Sequence, residues 1–179
     1  MRIRIALPVL VLSMIVPATA SAGGGLPKPD TSLITVPKSI GGVSLGQPLK
    51  KADKAWGKTG DCHGDKSFAS CQYGDFNGKK GNASIEANDG EVTSFGIFAN
   101  FDEKGNPYFK GPMMEFRTAE GIGLSSKASA VKKAYPEAKK IAGGSGLLVN
   151  GKGKSYMVFS TIGGKFVTSV AVGDGEHQG

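Results

Sequence analysis

One stretch of this chain occurs twice, and that repetition limits the possible folds more than any other feature. Residues 42–57, GVSLGQPLKKADKAWG, return 79 positions later as residues 121–136, GIGLSSKASAVKKAYP. Each copy opens on a glycine pair, Gly42 with Gly46 or Gly121 with Gly123, and then places apolar residues at helical spacing. Those residues are Leu45, Leu49, Ala52 and Trp56 in the first copy and Leu124, Ala128, Val131 and Tyr135 in the second. Each pattern stops at a breaker, Gly57 or Pro136. Two short amphipathic helices are predicted, the first with Pro48 near its start and the second capped by Ser125 or Ser126.

Strand patterns follow each helix, separated by hairpin dipeptides: Asn77-Gly78 and Asp89-Gly90, then Asn150-Gly151 and Gly163-Gly164. Ala83, Ile85 and Ala87 alternate with Ser84, Glu86 and Asn88, as a half-buried strand requires. Val92-Thr93-Ser94 and Val167-Thr168-Ser169 align between the halves. The expected fold is α+β, with two tandem repeats of a short helix followed by about three antiparallel strands, the sheets joined or packed side by side. Repeat 1 spans residues 39–101 and repeat 2 residues 116–173, with an inter-repeat segment at 102–115 and a flexible tail at 174–179.

Arg2 and Arg4, the apolar run from Ile5 to Val16, and Ala20-Ser21-Ala22 form a cleavable secretory signal peptide over residues 1–22. Secretion follows, to the extracellular space or the periplasm. The apolar run falls short of the ~20 residues of a spanning helix, and no later stretch is longer, so no transmembrane segment is expected. Residues 23–38 hold Gly23 to Gly25, Pro27, Pro29 and Pro37 and read as an extended linker.

The net charge of +7 falls to +5 once the two leader arginines are removed. Arg117 is then the only arginine, which argues against specific nucleic-acid recognition, where guanidinium forks read phosphates and guanines. Cys62 and Cys71 are the only cysteines. With His63 alone beside them they fall short of four zinc ligands, and in an exported chain the pair reads as a disulfide.

The G-h-x-h-G opening into a short helix ending in Trp-Gly or Tyr-Pro, followed by Cys62, Cys71 and an antiparallel sheet and then repeated, resembles the secreted β-lactamase inhibitory protein family. A single unit is also similar to the small outer-membrane-assembly lipoprotein of that fold. The resemblance implies a concave sheet face that grips a protein, an enzyme in the inhibitor's case. The second half departs from the family pattern, since it has no cysteine.

No catalytic constellation emerges. Gly42 to Gly46 spell G-x-S-x-G, but the second copy has Gly123 in place of Ser44, so the position serves the turn into the helix. Asp61 and Asp65 flank His63, which leaves a small hydrolase using His63 as a remote alternative. No metal or cofactor is expected. Paired lysines such as Lys50-Lys51 and Lys132-Lys133 allow a second alternative, an envelope-associated protein that binds anionic polymer or assists envelope assembly. The inter-repeat region is unusually apolar for a loop, and Tyr108, Phe109, Met113 and Met114 either plug a seam between sheets or meet a partner. The expected function is a monomeric, non-enzymatic, secreted protein-binding module with an extracellular or envelope protein as partner, and the family resemblance implies an inhibitor-like role.

Overall fold

The computed structural model describes residues 24–141, 143 and 145–175. The signal peptide, His177 and the end of the predicted tail lie outside the described residues. Between them runs an α+β chain with two helices and two sheets. Strands β1 (Leu33–Thr35), β2 (Ser39–Ile40) and β3 (Val43–Ser44) precede helix α1 (Leu49–Ala55). Strands β4 (Asp61–Gly64), β5 (Phe68–Tyr73), β6 (Asn82–Asn88) and β7 (Glu91–Phe98) follow it. A 3₁₀ turn (Pro112–Glu115), β8 (Arg117–Thr118) and α2 (Ala128–Ala134) lead to β9 (Lys139–Lys140), β10 (Gly146–Asn150), β11 (Ser155–Ile162) and β12 (Phe166–Asp174).

The large sheet has eight strands in the order β4-β5-β6-β7-β12-β11-β10-β9. Its middle joint is the antiparallel pairing of β7 with β12, from Ser169 opposite Phe98 to Gly173 opposite Ser94. Four strands rather than three follow each helix in the sheet, because the short edge strands β4 and β9 lack the alternation that reveals the others. The second sheet, β3-β2-β1-β8, was not expected at all. It draws β1 from the segment predicted as a linker, and Ile34 there is 1% exposed. Three-residue strands carry too short a pattern to be told from an extended lead-in.

Alternation puts Cys71, Tyr73, Ala83, Ile85, Phe95, Ile97, Leu147, Val149, Met157, Phe159, Val170 and Val172 on the inner face of the large sheet, where they join one core with residues of both helices. The predicted apolar positions all meet the core, Ala52, Trp56, Leu124 and Val131 buried and Leu45, Leu49, Ala128 and Tyr135 packed partly against it, but Leu45 and Leu124 do so from the turns before the helices and not from the helices themselves. Capping differs from expectation. Pro48 precedes α1 as its boundary residue, and Lys127 does so for α2. Ser126 instead accepts a bond from Gly123 N–H at 3.0 Å, tightening the approach to the helix rather than its first turn.

Cys62 and Cys71 form a disulfide across the β4–β5 hairpin, where they are direct register partners. It ties the edge strand to the sheet. In the chain-entropy view a crosslink over this short separation stabilises by about 2.5–3 kcal/mol. Replacing both cysteines by serine is expected to lower the unfolding free energy by about that amount in denaturant titration. A change under ~0.5 kcal/mol would mean that β4 contributes nothing to cooperative folding.

Tyr73 supplies a pH probe of the same region. Its ring meets Trp56 edge-on at 5.1 Å and its hydroxyl donates to Asp53 at 2.9 Å. Burial first, then the Asp53 bond and charge, push its pKa far above the ordinary 10. A raised folded-state pKa means stability that is complete below pH 10 and lost as pH climbs beyond it, since the unfolded chain ionises first. Stability should therefore fall above pH 10, and Tyr73→Phe should make that fall shallower. Equal slopes for both proteins would refute the link.

Candidate functional site

Several aromatic side chains that the core does not absorb, though not Phe68, gather at one end of the large sheet. Phe98, the last residue of β7, folds back over Gly96: a Cβ at position 96 would lie 2.9 Å from the Phe98 ring and 3.0 Å from the Val170 carbonyl oxygen. Glycine is thus what lets this ring lie low against the outer face. Phe98 shares a cleft with Phe76, Asn82, Ser84, Ala99, Asn100 and Phe101. Phe76 is 46% exposed and Phe101 48%. Nearby, Phe109 meets Phe166 at 6.4 Å between ring centroids, Phe166 being 38% exposed, and the Lys79 ammonium stands 5.8 Å over the Tyr108 ring.

Two asparagines hold this end together. Asn100 donates from Nδ2 to the Asp75 carbonyl at 2.6 Å and to the Gly78 carbonyl at 2.7 Å, fastening the turn that carries Phe76. Its Oδ1 accepts from Asn82 Nδ2. Those donors fix the orientation of both amides, and Asn82 Oδ1 is buried with no partner among the described residues. Beyond Asn100, Tyr108 N–H returns to the Asn100 carbonyl at 2.7 Å, so the 99–109 loop doubles back along the cleft.

The four predicted contact residues separate. Met113 is 0% exposed and belongs to the core, which leaves it no surface to present. Met114 packs partly against that core. Tyr108 and Phe109 are half-buried at the aromatic end. Sequence reasoning missed Phe76, which sits in a turn of hairpin type, and Phe166, which opens a predicted strand. An aromatic inside the polar turn Asp75-Phe76-Asn77-Gly78 was the available signal, since turns rarely hold exposed rings without a use.

His63 lies far out on the β4 hairpin, with its side chain 70% exposed and its Nε2 3.0 Å from Asp61 Oδ1. Ser70 stands opposite it in register, but no hydrogen bond joins them among the described residues. Ser44 occupies the two-residue strand β3, and its backbone N–H bonds Gln47 Oε1 at 3.2 Å. That is a strand-to-helix turn. Tyr135, at the end of α2, donates to Glu120, and burial with this bond raises its pKa to about 12.

Neither a protein-family profile nor a curated protein matches this sequence. Among solved structures it is similar to an extracellular protein containing an SCP domain from Bacillus anthracis str. Ames, at 10% identity and a TM-score of 0.49 over 79% of this chain and 50% of that one. It is also similar to a cysteine-rich secretory protein from Staphylococcus aureus subsp. aureus Mu50, at 12% identity and a TM-score of 0.44 over 84% of this chain and 47% of that one. The chain spans about half the length of either structure. These matches are an SCP-domain protein and a cysteine-rich secretory protein, not members of the β-lactamase inhibitory protein family, so the resemblance drawn from the helix openings is corrected. The reason is local. Gly42 and Gly121 have φ of 82° and 76°, and Gly46 and Ser125 have 73° and 68°. The shared opening encodes one left-handed turn into a helix, a geometry that many folds need.

Proposed function

We propose that this chain is a secreted, non-enzymatic module that binds a protein partner through the aromatic end of its large sheet. The observation that carries this is the cleft of Phe76, Phe98 and Phe101, two of whose rings are about half exposed although the chain has ample core to bury them. Exposed aromatic clusters beside polar groups are the composition of interface centres. The leader sequence supports export, to the extracellular space or the periplasm. His63 on an exposed hairpin with only Asp61 for company supports a non-enzymatic role. A monomer is supported by the sheet edges, since β9 is two lysines and β4 is four residues tied down by the disulfide, both poor templates for edge pairing.

We also read the chain as a duplicated unit. Helices α1 and α2 occupy positions 49–55 and 128–134, the same 79-residue offset as the motif, and the strand order runs outward in mirror fashion from the β7–β12 joint. The test of function is affinity capture from culture supernatant and envelope fractions over a salt series. A protein held by the aromatic cleft stays bound from ~0.05 to 0.5 M salt, while adhesion of the paired lysines to anionic polymer fades over that range. Loss of all captured protein at high salt would favour the envelope-polymer alternative.

A further inference from the structure

The aromatic cleft contains a feature that selects among partners. Asn82 is 5% exposed, its amide is oriented by Asn100, and among the described residues its Oδ1 accepts no hydrogen bond. A buried amide oxygen left without a donor is costly, so a site that keeps one gains from a ligand that brings a donor. Every side chain lining the cleft is uncharged. An ammonium or guanidinium entering it would be stripped of water with no counter-charge, which removes lysine and arginine as donors. What fits three phenylalanine rings and one lone acceptor is a broad flat apolar group carrying a single N–H. Among side chains that is the indole of tryptophan, a donor with no acceptor, whereas a tyrosine hydroxyl brings lone pairs that need partners of their own.

We propose that the cleft receives a tryptophan side chain of the protein partner, its indole N–H donating to Asn82 Oδ1. This rests on the protein-binding role argued above. A second copy of this chain cannot be the donor. Its one tryptophan, Trp56, is 0% exposed and already donates to the Ile40 carbonyl at 3.1 Å. Because Oδ1 is sealed from solvent, the proposal requires a side chain of the cleft to turn aside as the indole enters, a step that exposed side chains make in nanoseconds or less.

The test is an NMR titration of the intact mature protein with N-acetyl-tryptophanamide, its indole-N-methyl analogue and N-acetyl-phenylalaninamide, following the side-chain amide signals of Asn82 and Asn100. The tryptophan amide should shift both saturably, and the N-methyl analogue, which cannot donate, should bind about tenfold more weakly. Phe101→Ala should abolish the saturable shifts while leaving the melting temperature unchanged. Equal affinity for the three probes, or no movement of the Asn82 signals at millimolar probe, would overturn the proposal. If the probes fail while partner capture still depends on Phe76 and Phe101, the indole assignment falls and the protein-binding role stands. If capture is also indifferent to those residues, both fall.

Discussion

Replacing Trp56 by alanine should cost about 3–5 kcal/mol of unfolding free energy, the range for deleting a fully buried tryptophan. The residue closes α1 and is 0% exposed, so the whole ring is lost from the core. It also joins three parts of the molecule. Its ring packs edge-on against Tyr73 of β5 at 5.1 Å, and its Nε1 donates at 3.1 Å to the carbonyl of Ile40 in the small sheet. Its own carbonyl accepts from Lys28 N–H at 3.0 Å, holding the N-terminal segment against the helix. The variant therefore leaves the Ile40 oxygen without its donor, a penalty added to the cavity. For a chain of this size each kcal/mol moves the melting temperature by roughly 2–4 °C, so a fall near 10 °C is expected by calorimetry. Leu33→Ala, at an exposed position, should stay within about 0.5 kcal/mol. A Trp56→Ala protein as stable as the Leu33→Ala control would show that the small sheet and helix α1 do not share a core.

The second large effect concerns binding. Phe76→Ala combined with Phe101→Ala should weaken partner affinity by on the order of 2–4 kcal/mol, because truncating a pair of interface aromatics removes both contact area and the ring walls of the pocket. Stability should change little, since both rings are about half exposed and neither belongs to the core cluster. The contrast is Met113→Ala, which should lose about 2–5 kcal/mol of stability from its fully buried site. Calorimetry and a binding isotherm on the same preparations separate the two cases. A double variant with wild-type affinity would remove the cleft from the interface.

Much of the scaffold was legible in the sequence because it rests on local periodicity. The helix pattern read from Leu45 and from Leu124 is helical from Leu49 and from Ala128 onward, and the alternation of Ala83, Ile85 and Ala87 and the hairpin dipeptides stand where expected. The second sheet was invisible for the opposite reason. Strands of two or three residues such as β1 and β8 are defined by each other, through the parallel pairing of Leu33 with Arg117, and not by any pattern within them. The site was half legible. An apolar loop after Phe98 marked the region of the proposed cleft, but whether Met113 or Phe101 faces outward depends on the tertiary path of the loop, which Asn100 fixes by reaching back to the Asp75 and Gly78 carbonyls. Phe76 joins the site only through that clamp. Family likeness misled because the repeated glycine openings report backbone conformation, and backbone conformation recurs across unrelated folds.

The claim that the aromatic end is the contact surface is tested most directly by hydroxyl-radical footprinting of the mature protein, free and in complex with its captured partner. Among the described residues five large hydrophobic side chains are exposed: Leu33, Phe68, Phe76, Phe101 and Phe166. Three belong to the aromatic end and two lie on other elements, so the molecule carries its own controls. The account predicts that oxidation of Phe76, Phe101 and Phe166 drops in the complex while Leu33 and Phe68 react as in the free protein. Protection of Leu33 or Phe68 with Phe76 and Phe101 still fully reactive would contradict it.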